Sequence, residues 1–422
     1  MNSRERVIAA INHRTPDRVP VDLDATNLTG INASSLYKLR AYLGLEKRPI
    51  IIRDLFQMLG VVEEDVKEII KPDVVGLRGL HNFIGVKETG EYQDFFMTDG
   101  TPTRQFGENV FSKGADGRIF AYPQGDPEVE ASVVMPQTGY FFENIDRTPD
   151  YDEAALDPEK DFANLYAVIS EEEAIHYERE SKRLSEESDC AIFGNLGIGG
   201  LGDVALLPGP SVKNPRGIRK IEDWMMAHIL HPDYVNAVYE LQTEAAIKNY
   251  EIYRQAVRDR VQVVMVSGTD FGTQHGAFIS PGHFKTMYKP RFKRINDWIH
   301  EHTPWKAFYH SCGSLAQYLD DFVDMGVDII NPVQFSAKGM DLEPLKEKYG
   351  DKLTFWGGGV DTQHMLPFGS PEDVAAEVEY RLKVLSKGGG FVFAAIHNIV
   401  ANIPPENIMA MFDTVHKFNG VK

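Results

Sequence analysis

His310-Ser311-Cys312-Gly313 is the stretch of this chain whose residue types have the most chemistry to offer. It closes the apolar run Ala307-Phe308-Tyr309, and in an extended strand residues i and i+2 point to the same side, so His310 and Cys312 converge on one point. Imidazole and thiolate together suit zinc, at about 2.0–2.3 Å per bond. A buried histidine beside a buried free cysteine satisfies the same pattern. His397-Asn398 ends another apolar run. His397 reads either as a third ligand, leaving the open position that catalytic zinc needs, or as a neutral hydrogen-bonding or proton-transfer group. Asp270 lies in Ser267-Gly268-Thr269-Asp270-Phe271-Gly272-Thr273-Gln274, where glycines on both sides let backbone approach a ligand. It offers a base, a metal-bound oxygen or an orienting acceptor, against the plain reading of a turn cap.

Further segments are candidates for holding a substrate. Gly197-Ile198-Gly199-Gly200-Leu201-Gly202 formally satisfies GxGxxG, but Leu207-Pro208-Gly209-Pro210 follows at once and blocks the long helix that a dinucleotide site requires. It reads as a loop at the mouth of the fold, with Asn195 just before it as a substrate contact. Trp356-Gly357-Gly358-Gly359-Val360-Asp361 is a glycine loop without a basic neighbour, so phosphate is weakly supported, and Asp361 serves a substrate or caps a turn. Gln274 and Asn398 complete the set of candidate substrate contacts. The chain has no serine-hydrolase elbow, P-loop, H-E-x-x-H or paired CxxC.

These residues must be positioned by the elements that end at them. Eight short apolar runs recur: Val19–Asp24, Val74–Gly79, Cys190–Gly197, Val261–Ser267, Ala307–His310, Asp328–Phe335, Leu353–Gly357 and Gly390–Ile396. Several are apolar on both alternating faces, as parallel strands buried between a barrel interior and outer helices must be. Between them lie helical stretches. Pro232–Arg258 has apolar residues near helical spacing, and Ser280-Pro281 and Ser370-Pro371 are N-cap-plus-proline entries. A last helix starts near Pro404-Pro405-Glu406 and runs to about Phe418. The alternation predicts an α/β fold, a (β/α)8 TIM barrel, with the candidate residues at the strand ends where such barrels place their sites. Residues 91–134 break the alternation. Asp99-Gly100 and Asp116-Gly117, flanked by aromatics, predict β-hairpins inserted after the second strand. The whole of 1–422 reads as one domain carrying that insertion.

Bulk properties narrow the function. A net charge of −18 with no Lys/Arg block argues against nucleic acid. Two cysteines, Cys190 and Cys312, exclude a disulfide framework and fit a reducing compartment. No run of about 18 apolar residues and no apolar leader is present, so the expectation is a cytoplasmic enzyme with no membrane span.

The opening Arg4-Glu5-Arg6-Val7-Ile8-Ala9-Ala10-Ile11 and Pro16-Asp17-Arg18-Val19-Pro20 resemble the start of uroporphyrinogen decarboxylase-like proteins. So do Asp270-Phe271-Gly272-Thr273-Gln274 with Ile279-Ser280-Pro281, Gly358-Gly359-Val360-Asp361-Thr362-Gln363, and Ile403-Pro404-Pro405-Glu406-Asn407-Ile408. The resemblance implies the barrel independently of the strand count. Within that family, corrinoid-dependent methyltransferases carry an H-x-C pair and a later cysteine as zinc ligands. His310 and Cys312 match the pair, and the later position falls on His397. The true decarboxylases have a histidine at this late position, in a G-H-G context; here Ile396 and Asn398 flank it. Their arginine-rich R-Q-A-G-R-Y segment has no counterpart, Arg18 and Arg53 being isolated in the sequence. The resemblance therefore implies a methyltransferase using zinc on His310, Cys312 and His397, with Asp270 as orienting or acid/base group. It would exchange a methyl group between a small donor or acceptor, such as a methoxy or methylthio compound, and a corrinoid. The chain lacks the D-x-H-x-x-G of cobalamin-binding proteins, so the corrinoid would arrive on a partner protein. A metal-independent decarboxylase with His397 and Asp270 handling protons is the other reading, and a homodimer is open in both.

Overall fold

Apolar strands that must hide both faces close on themselves, and that is what the computed structural model shows over residues 1–107, 110–197 and 199–421. Seven strands pair in parallel and in chain order: Val74–Leu77, Ala191–Gly194, Val263–Ser267, Lys306–His310, Ile329–Asn331, Thr354–Trp356 and Phe391–Val392. The first apolar run, Val19–Asp24, fills the remaining gap. On one side Asp22 N–H donates to Phe393 O and Phe393 N–H to Pro20 O, both at 2.8 Å. On the other, Asp73 N–H donates to Val21 O at 2.7 Å. All eight predicted runs thus lie in the ring in the predicted order. The first makes a single bridge rather than a ladder.

The interior is filled in layers, as barrels require. Phe193, Phe308 and Trp356 come from the third, fifth and seventh positions of the ring, with centroids 4.8–5.8 Å apart. Asp22, from the first position, accepts the Trp356 indole N–H at 2.8 Å, and its burial pushes its carboxyl up to about 6. The outer helices run where the caps and periodicity placed them. Pro232–Val257 and Pro405–Phe418 match the expected spans. Pro371–Leu385 begins with a capping box between Ser370 and Asp373. The Ser280 entry is also real, Ser280 Oγ accepting His283 N–H at 3.2 Å. The helix beyond it passes through a π turn at Phe284–Tyr288 before Lys289–His302.

The inserted hairpins are present after the second barrel strand. Tyr92–Phe96 pairs antiparallel with Pro102–Phe106, and Phe111–Lys113 with Ile119–Ala121. Gly100 and Gly117 adopt φ of +83°, the left-handed conformation that the Asp-Gly pairs signalled. The excursion extends past residue 134, since Val133–Met135 pairs on with Glu143–Asn144. Pro102–Phe106 also pairs in parallel with Ile50–Asp54, tying the insertion to the connection after the first barrel strand. Among the described residues no helix is long and apolar enough to cross a membrane.

Candidate metal centre and its cavity

Phe308 points into the barrel, so His310, two residues on, points the same way one level nearer the mouth. Its Nδ1 lies 2.6 Å from Asn331 Oδ1, and the Asn331 Nδ2 donates to Trp356 O at 2.9 Å. A carbonyl can only accept, so the orientation of this fully buried amide is forced. Oδ1 must face His310, Nδ1 must carry the proton, and the Nε2 lone pair is left free. That lone pair sits 3.4 Å from Cys312 Sγ. Two ligands on a tetrahedral zinc with ordinary bond lengths are about 3.5 Å apart, so the pair spans one edge of such a site.

Cys312 is held by the loop after its strand rather than by the strand itself. Its N–H donates to Asp270 Oδ1 at 2.6 Å, Ser311 Oγ accepts Phe271 N–H at 2.8 Å, and Gly313 N–H donates to Gln334 Oε1 at 2.8 Å. Gly272 allows this approach, because a Cβ there would lie 2.6 Å from Ser314 N and 2.8 Å from Cys312 O. Burial, reinforced by Asp270, pushes the Cys312 thiol well above its ordinary value.

His397 arrives from the last strand end. Its ring lies 5.4 Å from that of His310, and the ligand atoms of His310, Cys312 and His397 all fall within 4.8 Å of one another. Burial, with a smaller contribution from His310, pushes His397 down to about 3, so its imidazole is neutral at physiological pH. Two imidazole nitrogens and one thiol sulfur in this compass are a donor set that fits zinc. Asp270 stands 3.9 Å from His310 Nε2 and spends its nearer oxygen on the Cys312 backbone, which makes it an orienting group in this geometry.

A cavity of about 700 Å³ opens beside this cluster. Asn195, Asp270, His310, His397 and Asn398 line it; Cys312 is not a wall residue and meets the site through His310. Asn195 donates to Ala25 O at 2.8 Å, and its buried Oδ1 has no partner among the described residues. Asn398 is occupied at both ends, accepting Gly30 N–H at 2.6 Å and donating to Asn27 O and Gln57 Oε1. Gln274 and Asp361 stand apart from the cavity walls. Gln274 bonds Gln363 at 3.2 Å, and Asp361 accepts the N–H groups of Gln363 and His364, the turn-capping arrangement. The GxGxxG segment forms turns with no helix at its described positions; Ile198 lies outside them.

Several site residues gave little signal in the sequence. Asn331 is a lone polar residue after Ile329-Ile330. Asp203, in the loop after the glycines, lines the cavity and is pushed up to about 7 by burial and by Asp270. Arg53, isolated in the sequence, lines the cavity together with Arg78, Asp54 and Glu88 and pairs with the buried Asp24.

An α/β barrel with a metal-capable cluster at the carboxyl ends of its strands is the class that fold and site define. Residues 214–418 match the family model described as uroporphyrinogen decarboxylase (URO-D). Curated relatives are uroporphyrinogen decarboxylases. That of Pseudoalteromonas atlantica is 31% identical over 80 residues, which are 19% of this chain and 22% of the relative. That of Psychromonas ingrahamii is 29% identical over 104 residues, 25% of this chain and 27% of the relative. The match thus spans only about a quarter of these relatives' length. A solved methyltransferase from Methanosarcina mazei superposes with a TM-score of 0.57 at 16% identity, covering 99% of both chains, and so shares the fold.

Proposed function

We propose that the chain is a methyltransferase that holds zinc on His310, Cys312 and His397. It would move a methyl group between a small donor or acceptor and a corrinoid carried by a separate protein. The observation that carries this reading is the convergence of three ligand atoms within 4.8 Å at the barrel mouth. Zinc bound there would supply Lewis-acid activation of the oxygen or sulfur that bears or accepts the methyl group. With a neutral imidazole as third ligand, the metal would be a stronger Lewis acid than in a shell with a second thiolate.

The chain's own residues prepare the site. Asn331 fixes the His310 tautomer with Nε2 turned toward Cys312, and Asp270 anchors the Cys312 loop through its backbone N–H. His397 is already neutral, so its lone pair is available without losing a proton. Asn195 and Asn398 frame the cavity, and we read Gln274 and Asp361 as shaping the neighbouring loops. The barrel is read as one domain over residues 1–422, working in the cytoplasm, with a homodimer as its open assembly.

Metal analysis tests the reading directly. Protein purified without chelators should carry one zinc per chain, lost in His310→Ala, and metal-free wild type would sink the proposal. Incubation with methoxy or methylthio donors and reduced cobalamin should then yield the methylcobalamin spectrum. The names of the curated relatives favour a second reading, a metal-independent carboxy-lyase in which His397 and Asp270 handle protons. Carbon dioxide release from uroporphyrinogen by chelator-treated protein would select it.

A further inference from the structure

Arg78 follows the strand Val74–Leu77, so its side chain starts at the barrel mouth and lines the cavity beside the candidate metal centre. Its guanidinium donates no hydrogen bond among the described residues, and its Nε is buried without a partner. Its ion-pair neighbour, Asp24 Oδ2, is 3.7 Å from Nη2, beyond hydrogen-bond range. Asp24 is already engaged: Arg53 Nη1 donates to its Oδ1 at 2.5 Å and Val62 N–H to its Oδ2 at 3.1 Å. Arg53 is therefore satisfied and Arg78 is not. The side chain is one-third exposed, and its buried Nε–H is costly unless something in the cavity accepts from it.

The surroundings say what that acceptor is attached to. Phe56 and Phe83 stack at 4.3 Å in the cavity wall, joined by Phe141 and Leu206. A volume near 700 Å³ far exceeds a one-carbon alcohol and suits a ring-sized body. The other carboxyls near Arg78 are poor competitors for its fork. Burial pushes Glu88 up to about 7, so it does not present a full charge near neutrality, and burial raises Asp54 as well.

We propose that Arg78 is the anion-holding group of this cavity and that its ligand is a carboxylate on an aromatic body, seated on the Phe56–Phe83 wall. The planar guanidinium takes a carboxylate in the paired geometry for which arginine is suited. This rests on reading the cavity as the substrate site and does not require the zinc. Calorimetric titration with 4-methoxybenzoate and its neutral counterpart methoxybenzene tests it at pH 7. Wild type should bind the carboxylate about tenfold or more tightly than the neutral ring. Arg78→Gln should lose that preference while methoxybenzene binding stays unchanged, and Arg78→Met serves if the glutamine variant does not fold. Equal affinities in wild type, no binding of either probe at millimolar concentration, or a preference that survives the substitution would each overturn the proposal. His310→Ala separates the two readings: zinc lost with the carboxylate preference intact leaves the Arg78 assignment standing whatever the metal does.

Discussion

Replacing Asn331 by alanine removes the group that fixes the His310 tautomer without touching a ligand. Two buried partners lose their hydrogen bonds, the His310 Nδ1–H and the Trp356 carbonyl, at 2.6 and 2.9 Å in the intact protein. Each group left unsatisfied costs about 1–3 kcal/mol of stability. In a chain of 422 residues a loss of that size lowers the unfolding midpoint by only a few degrees, at roughly 2 cal/mol/K of unfolding entropy per residue. The larger effect should fall on the metal. His310 becomes free to carry its proton on Nε2 and to rotate, and loss of such an outer partner weakens metal binding about 10–100-fold, or about 1.4–2.7 kcal/mol. Apo-protein titrated with zinc against a competing fluorescent chelator measures this. Asn331→Ala should still fold, with its zinc affinity reduced by at least tenfold. A zinc affinity within twofold of wild type, in a folded variant, would refute the argument that the Asn331–His310 bond prepares the ligand.

Asp203 gives a pH prediction. Its folded pKa is raised to about 7, so between about pH 4 and 7 the native state keeps a proton that the unfolded chain has lost, and ionising it costs stability as pH rises through that window. Asp203→Asn should therefore gain on wild type in urea unfolding between pH 5 and pH 8, and parallel profiles would contradict the assignment. Gly272→Ala places a methyl group against the backbone of Ser314 and Cys312, so we expect a loss of about 1–3 kcal/mol in thermal unfolding together with weaker zinc binding. Asp73 is buried and accepts from Ser3, Arg6, Arg18 and the Val21 N–H. Asp73→Ala leaves Arg18 without its carboxylate and Arg6 with Asp17 alone, and should cost about 3–5 kcal/mol by chemical denaturation, whereas a change below 1 kcal/mol would show the cluster to be incidental.

The barrel was legible because its strands are buried on both sides and so are written as unbroken apolar runs, such as Val263–Ser267, where every position is buried. The convergence of His310 and Cys312 was legible from the two-residue period of a strand, although the strand ends at His310 and hydrogen bonds to Asp270 and Gln334 hold the loop that carries Cys312. Asn331 could not be read the same way, since its meaning comes from a neighbour 21 residues away in sequence. Arg78 looks like any mouth arginine until Arg53 is seen to have taken Asp24. Asn398 shows the reverse limit: its amide is committed to Gly30, Asn27 and Gln57, partners some 340–370 positions distant. The first barrel strand was found by its composition, but its reduction to one bridge depends on how the ring closes.

That closure has a consequence for how the chain comes to be made. Val21 finds one of its lateral neighbours at Phe393, and Val19 exchanges hydrogen bonds with the side chain of Asn419 in both directions. On the ribosome, Val21 emerges well before Phe393, so its second edge stays uncovered until the last strand of the ring has been made. Until then the nascent sheet carries open edges, of the kind that invite mispairing with other chains. The final helix, Pro405–Phe418, and the Asn419 that follows it are the latch that ends this exposure, so truncation there should show first as poor yield of soluble protein rather than as an altered site.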